Sequence, residues 1–256
     1  MLSTFVDKCH NNLFSSKIAL AYLVSRSITV DDMKKYKIGF IGNLISNVNG
    51  SDSEALRFNK EWLGKQGHYV RYRIVIPIFD ELGNVKGLET RALDKSAVEI
   101  LKPEYKKSLQ TEIAALPDSS VRYKKFYYEK SKFSACFFGL PTILKDIWET
   151  KTVFLTEGVF DCLSALRCYP NCLSTLTANI NEYQLNWLRR YVKKIILLYD
   201  SDKRGNKAVE NILKYQSNDF LIYSIGLKGL DVNELEIKCG LRELKSIIDY
   251  KLSTIY

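Results

Sequence analysis

The stretch LLYDSDKRGNKA, residues 197–208, ends an apolar run in two carboxylates, Asp200 and Asp202, one residue apart, and continues into Lys203, Arg204, Gly205 and Lys207. Alternate residues of an extended chain point the same way, so both carboxylates can face one point. About 4 Å apart, at an effective dielectric of about 20, they would repel by roughly 4 kcal/mol. A shared proton, solvent, a basic side chain or a divalent cation must offset that repulsion. One Asp would serve as a helix N-cap; the second points toward a metal. Upstream, TEGVFD sets Glu157 and Asp161 four residues apart around Gly158, and downstream KGLDVNE carries Asp231, Asn233 and Glu234. Oxygen donors without His or Cys suit Mg²⁺ or Mn²⁺ rather than zinc. Such a site, completed by water and phosphate, is characteristic of phosphoryl-transfer chemistry.

The elements that must position these groups are readable from about residue 151 onward. TVFLT reads as a strand ending at Glu157-Gly158, VFDCLSALRCY as a helix, CLSTL as a short strand, and NEYQLNWLRRYV as a helix opened by Asn181. KIILLY and FLIYSIG are further strands, GNKAVENILKY carries apolar residues at helical spacing, and VNELEIKCG begins a short helix. This alternation predicts a parallel sheet with helices on both faces. Three strand ends would bring carboxylates to its C-terminal edge, where open α/β sheets bind ligands. The first half is less regular. KIALAYLVSRSITVDDMKKYKIGF predicts two short helices, and HYVRYRIVIPIFDELGNVKGLETRAL a β-hairpin turning at ELGN. Arg71 and Arg73 fall on one face of the first hairpin strand. The expected division is a basic part over 1–150 and an alternating part over 151–256, joined through PTILKDIWETK.

The chain has 256 residues, 46% of them hydrophobic and 26% charged, with a formal net charge of +9. Between Arg57 and Lys132, under a third of the chain, Lys and Arg outnumber Asp and Glu. Such a field favours a polyanion such as nucleic acid, although a solvated Lys-rich surface would give the same composition. No apolar run reaches membrane-spanning length, and MLSTFVDKCHNN lacks the features of a secretory signal. The six cysteines fit reduced thiols in a cytoplasm. With no CxxC pair and two histidines, no zinc site is expected.

TEGVFDCLSAL followed by LLYDSDKRGNKA resembles the TOPRIM domain shared by bacterial-type primases and topoisomerases, defined by a Glu-Gly signature and a later Asp-x-Asp. RYRIVIPIFDELGNVKGLETRAL, KKFYYEKSKFSACFFGL, AYLVSRSITVDDMKKYKIGF and KGLDVNE resemble successive segments of the DnaG-type primase core, together covering roughly residues 20–236. The resemblance implies an α/β protein, an α+β N-terminal subdomain followed by a Rossmann-like TOPRIM sheet. It implies DNA-templated synthesis of short RNA primers from ribonucleoside triphosphates during replication.

By position, the resemblance makes Glu157 the residue assisting catalysis, as a metal ligand or a general base. Asp200 and Asp202 become the metal-binding pair, and Asp161 and Asp231 further acidic positions. Arg71, Arg73, Arg91, Lys125 and Lys132 match basic residues of the template and nucleotide groove. Lys203, Arg204 and Lys207 could contact phosphates or simply open a solvated helix; Tyr72 and Phe126 could stack on bases or belong to the core. Where the family usually has a second Asp, this chain has Asn233. The family's N-terminal zinc module and its later helical region are expected to be missing, a compact form most like a bacteriophage primase in a host cytoplasm. Single-stranded DNA, a replicative helicase and a separate zinc-binding protein are the implied partners. The alternatives are a TOPRIM nuclease and a non-catalytic single-stranded-DNA-binding subunit.

Overall fold

The computed structural model describes residues 2–42, 73–118, 125–127, 136–199, 203–216, 219–227 and 229–254. Asp200, Asp202, Arg71, Tyr72 and Lys132 lie outside these residues, as do the side chains of Lys125, Phe126, Lys203 and Arg204. The chain forms two compact units, one of residues 1–77 and 85–128, the other of residues 78–84 and 129–256.

The first unit opens on α1 (Leu2–Leu13), α2 (Lys17–Ser25) and α3 (Val30–Lys35). In α1, Leu2, Phe5, Val6, Cys9 and Leu13 are buried, at the three- and four-residue spacing that lines one helix face. That face packs on Ile41, Val75 and Leu88. A capping box starts α3, where Thr29 Oγ1 accepts from the Asp32 N–H and the Asp32 carboxylate accepts from the Thr29 N–H, each at 3.0 Å. Strands β1 (Gly39–Phe40), β2 (Arg73–Phe79), β3 (Val85–Ala92) and β4 (Lys125–Tyr127) form a four-stranded sheet in that order. β1 pairs antiparallel with β2, and β3 with β4, Glu89 opposite Lys125. The β2–β3 turn lies at residues 80–84, where Asp80 Oδ1 accepts from the backbone N–H of Leu82 and Asn84. Two short helices, α4 (Pro103–Ser108) and α5 (Gln110–Ala114), follow β3.

In the second unit, α6 (Leu144–Thr150) leads into alternating β5 (Thr152–Thr156), α7 (Val159–Leu166), β6 (Cys172–Ser174), α8 (Glu182–Tyr191) and β7 (Lys194–Leu197). Then come α9 (Lys203–Gln216), β8 (Leu221–Ser224), α10 (Val232–Cys239) and α11 (Leu241–Ser253). The strands lie parallel in the order β6-β5-β7-β8. The chain steps one way from β5 to β6 and back across β5 to β7. Right-handed crossovers therefore put α7 and α8 on opposite faces. The strand side chains agree. Val153, Leu155, Leu173, Ile195 and Leu197 join one core with Leu185 and Leu188 of α8, Ile147 of α6 and Ile212 of α9. Phe154, one residue out of phase, stacks instead on Tyr169 just beyond α7, with ring centroids 4.3 Å apart. Complete burial of a side chain such as Leu155 contributes about 1.5–3 kcal/mol.

Candidate active site at the C-terminal edge of the parallel sheet

Hydrogen bonds between neighbouring strand ends fix the backbone where β5 gives way to Glu157. The Thr175 N–H donates to Thr156 O at 3.0 Å, and Ser174 Oγ donates to Glu157 O at 2.9 Å. Thr156 Oγ1 donates to Gly158 O at 3.1 Å, closing the turn on itself. Thr175 Oγ1 lies 2.6 Å from Thr177 O and 3.1 Å from the Tyr199 hydroxyl. Thr156 O also lies 3.1 Å from Thr175 Oγ1, and either hydroxyl can donate in the Thr175–Tyr199 pair. Burial pushes the Tyr199 phenol up, and the Glu157 charge adds to the rise. The half-buried Glu157 carboxylate therefore stands at the end of β5, within electrostatic reach of the end of β7. Leu155 pairs with Leu197, and the Leu198 N–H donates to Leu155 O at 2.8 Å, so Leu198 and Tyr199 continue the end of β7 alongside the end of β5.

Asp161 has a different situation. It is buried in the first turn of α7, and Oδ1 accepts from the backbone N–H of Asn233 at 3.0 Å. Asn233 Nδ2 donates to Ser164 Oγ at 3.1 Å, so α7 and the start of α10 are joined twice. A buried carboxylate at the N-terminal turns of two helices is stabilised by their N–H groups and dipoles. Gly158, the N-cap of α7, is required by this arrangement: a Cβ there would sit 2.5 Å from Asp161 Oδ2. At the other end of α7, the Arg167 guanidinium bonds to Glu236 of α10 in a largely buried pair. Asp231 caps α10, Oδ1 accepting from the Glu234 N–H at 2.6 Å.

The basic residues divide in the same way. Arg73 is 1% exposed, and its Nη1 donates to Thr90 Oγ1 at 3.2 Å. Burial lowers its pKa, and in this position the guanidinium braces β2 against β3. Arg91 is half-buried on β3. The Lys125 backbone pairs with Glu89, and Lys203 and Arg204 open α9. Lys207 is exposed.

Among the described residues no three His, Cys, Asp or Glu side chains group closely enough to hold a metal ion. The donors at this edge still suit a hard divalent cation in kind. Glu157 is a carboxylate, its neighbours are hydroxyls and carbonyls, and Cys172 is buried with its thiol pushed well up, first by burial and then by its contact with Cys162. The motifs did not point to Ser174, Thr175 and Tyr199, polar groups at or just past the ends of β6 and β7 that short apolar runs such as CLSTL tend to hide.

The Toprim-like family model matches residues 154–235. The DNA primase of Clostridium acetobutylicum is 27% identical over 267 aligned residues, covering 96% of this chain and 40% of that protein. The chain spans less than half the length of the curated primases it is most readily aligned with. The crystal structure of the zinc-binding and RNA polymerase domains of Aquifex aeolicus primase matches with a TM-score of 0.68 at 23% identity, covering 96% of this chain and 59% of that one. A DnaG primase catalytic domain bound to single-stranded DNA matches with a TM-score of 0.68 at 19% identity, covering 97% and 79%. The chain thus carries a Toprim-like domain, shares the fold of the DnaG catalytic core in both of its units, and is related in sequence over nearly its whole length to DNA primases.

Proposed function

We propose that this chain is the catalytic core of a DNA primase, a nucleotidyltransferase that builds short RNA primers on single-stranded DNA. The observation carrying this reading is that the similarity to primases runs through the upstream unit as well as the Toprim-like part. A TOPRIM nuclease would share only the latter.

In the reaction, the 3′-hydroxyl oxygen of one nucleotide bonds to the α-phosphorus of the next, and the bond from that phosphorus to the bridging oxygen of the leaving pyrophosphate breaks. Glu157 accepts the hydroxyl proton. Its carbonyl accepts from Ser174 Oγ and the next residue's, Gly158, from Thr156 Oγ1, which keeps the carboxylate at the sheet edge. Asp161 acts as a positioning residue, fixing α7 against α10 and so the turn that bears Glu157. Asp200, Asp202 and Asp231 are the donors proposed for Mg²⁺ or Mn²⁺. Such an ion, when bound, neutralises triphosphate charge. Lys203 and Arg204, at the start of α9, would meet the triphosphate. Arg71, Arg73, Arg91, Lys125 and Lys132 would hold template and nucleotide phosphates, which position a strand without reading its bases. A helicase and a separate zinc-bearing protein belong to the same proposal as partners in choosing where synthesis starts.

The test is incubation of the chain with single-stranded DNA, four ribonucleotides and Mg²⁺ or Mn²⁺. RNA complementary to the template is expected. Cleavage of the template instead would support the nuclease reading, and tight binding with neither product a non-catalytic subunit.

A further inference from the structure

The opposite edge of the parallel sheet gathers charge and aromatic surface that the proposed reaction does not use. Lys151 O accepts from the backbone N–H of Lys193 at 2.8 Å and of Lys194 at 3.0 Å. Three lysines are thereby held together where β5 and β7 begin. Lys151 and Lys193 are exposed. Two acidic side chains near these strand starts pair with other cations: Asp219, just before β8, with Arg189 at 2.8 Å, and Glu149 with Lys145 at 3.8 Å. One helical turn before Lys151, Trp148 is 56% exposed at the end of α6, and its ring lies 6.4 Å from that of Tyr191 at the end of α8. Tyr191 rests in turn on the buried Trp187, with centroids 4.8 Å apart. Trp148 is therefore backed by two tilted aromatic rings while presenting ring surface to solvent.

We propose that this N-terminal edge is a second contact for single-stranded nucleic acid, its phosphates on the exposed Lys151 and Lys193 and a base stacked on Trp148. Lysines beside a supported, exposed ring are the combination that binds unpaired strands without regard to sequence. A duplex keeps its bases stacked inside and offers Trp148 nothing. Strand β5 separates Lys151 from Glu157 by six residues, roughly 20 Å at about 3.3 Å per residue. A strand engaged here would be held clear of the reacting nucleotides. The choice of DNA as ligand rests on the functional reading above; the surface itself does not.

The test is binding of oligothymidylate by the whole chain across a salt series, comparing wild type with Trp148→Ala and with Lys151→Gln/Lys193→Gln. Trp148→Ala should weaken binding roughly tenfold. The lysine pair should flatten the slope of log affinity against log salt by about 1.4, at about 0.7 for each phosphate no longer neutralised. Both variants should still extend an RNA annealed to a short template. Unchanged affinity and slope would overturn the proposal and leave the lysines as partners of helix C-termini. So would equal binding of poly-glutamate, which would indicate an acidic protein segment, or a dimer dissolved by Trp148→Ala with DNA binding unchanged. Weakened DNA binding in these variants of a chain that makes no RNA would support the surface while removing the primase reading.

Discussion

Asp161 and Glu157 are both acidic and four residues apart, yet their surroundings separate their work. Asp161 is buried and accepts from the Asn233 N–H, so Asp161→Ala leaves a buried donor without its acceptor. The expected cost is about 1–3 kcal/mol, read from denaturant unfolding; an unchanged unfolding midpoint would remove its positioning role. Gly158→Ala tests the same corner from the other side. The added Cβ would press on Asp161 Oδ2, and overpacking of this kind costs about 1–3 kcal/mol. Loss of primer synthesis beyond the loss of folded protein is expected, because the displaced carboxylate carries the Glu157 turn with it. Full activity in this variant would show that the turn tolerates the shift.

Elements were legible where pattern and environment agree. The strands β5, β7 and β8 are short apolar runs between amphipathic helices, and Asn181 stood at its helix start in the sequence as it does in the structure. The helix α1 went unread although Leu2, Phe5, Val6, Cys9 and Leu13 carry its periodicity, because interspersed polar residues make the segment look like an ordinary terminus. The burial of Arg73 could not be read either. Strand alternation gives the face of a side chain, and burial of that face depends on what is packed over it. Asn233 stands where the family usually has a second Asp; in the structure its N–H donates to Asp161 and its amide to Ser164, a task a second carboxylate would perform under like-charge repulsion. Caps give a paired test at this scale. Asn181→Ala and Asp231→Ala each remove a capping box, and each should cost about 1 kcal/mol. Asn181 lies at the start of α8, so synthesis should persist in its variant. Asp231→Ala should lose stability and activity together; retained synthesis at saturating metal would limit Asp231 to capping.

Over the whole molecule, if the proposed function holds, the net charge of +9 predicts that DNA affinity falls with salt, each phosphate neutralised at the contact releasing counterion. Substituting Arg71 and Arg91 together should weaken single-stranded DNA binding at every sequence and flatten the salt slope by about 1.4. An unchanged slope would place the template elsewhere. The chain contains no described helix long and apolar enough to cross a membrane. The central claim is that carboxylates gathered at one sheet edge transfer a nucleotide. The most direct measurement is single-nucleotide extension of an RNA annealed to template, by wild type, Asp200→Asn, Asp202→Asn and Glu157→Gln, across a range of Mg²⁺ or Mn²⁺. Annealing removes the need to order two free reactants, so extension should be readable even where initiation is slow. The expected result is incorporation by the wild type and loss of at least a hundredfold in each variant, on the order of a lost general base, with DNA affinity and melting temperature kept. Near-normal extension by either aspartate variant at saturating metal would contradict it.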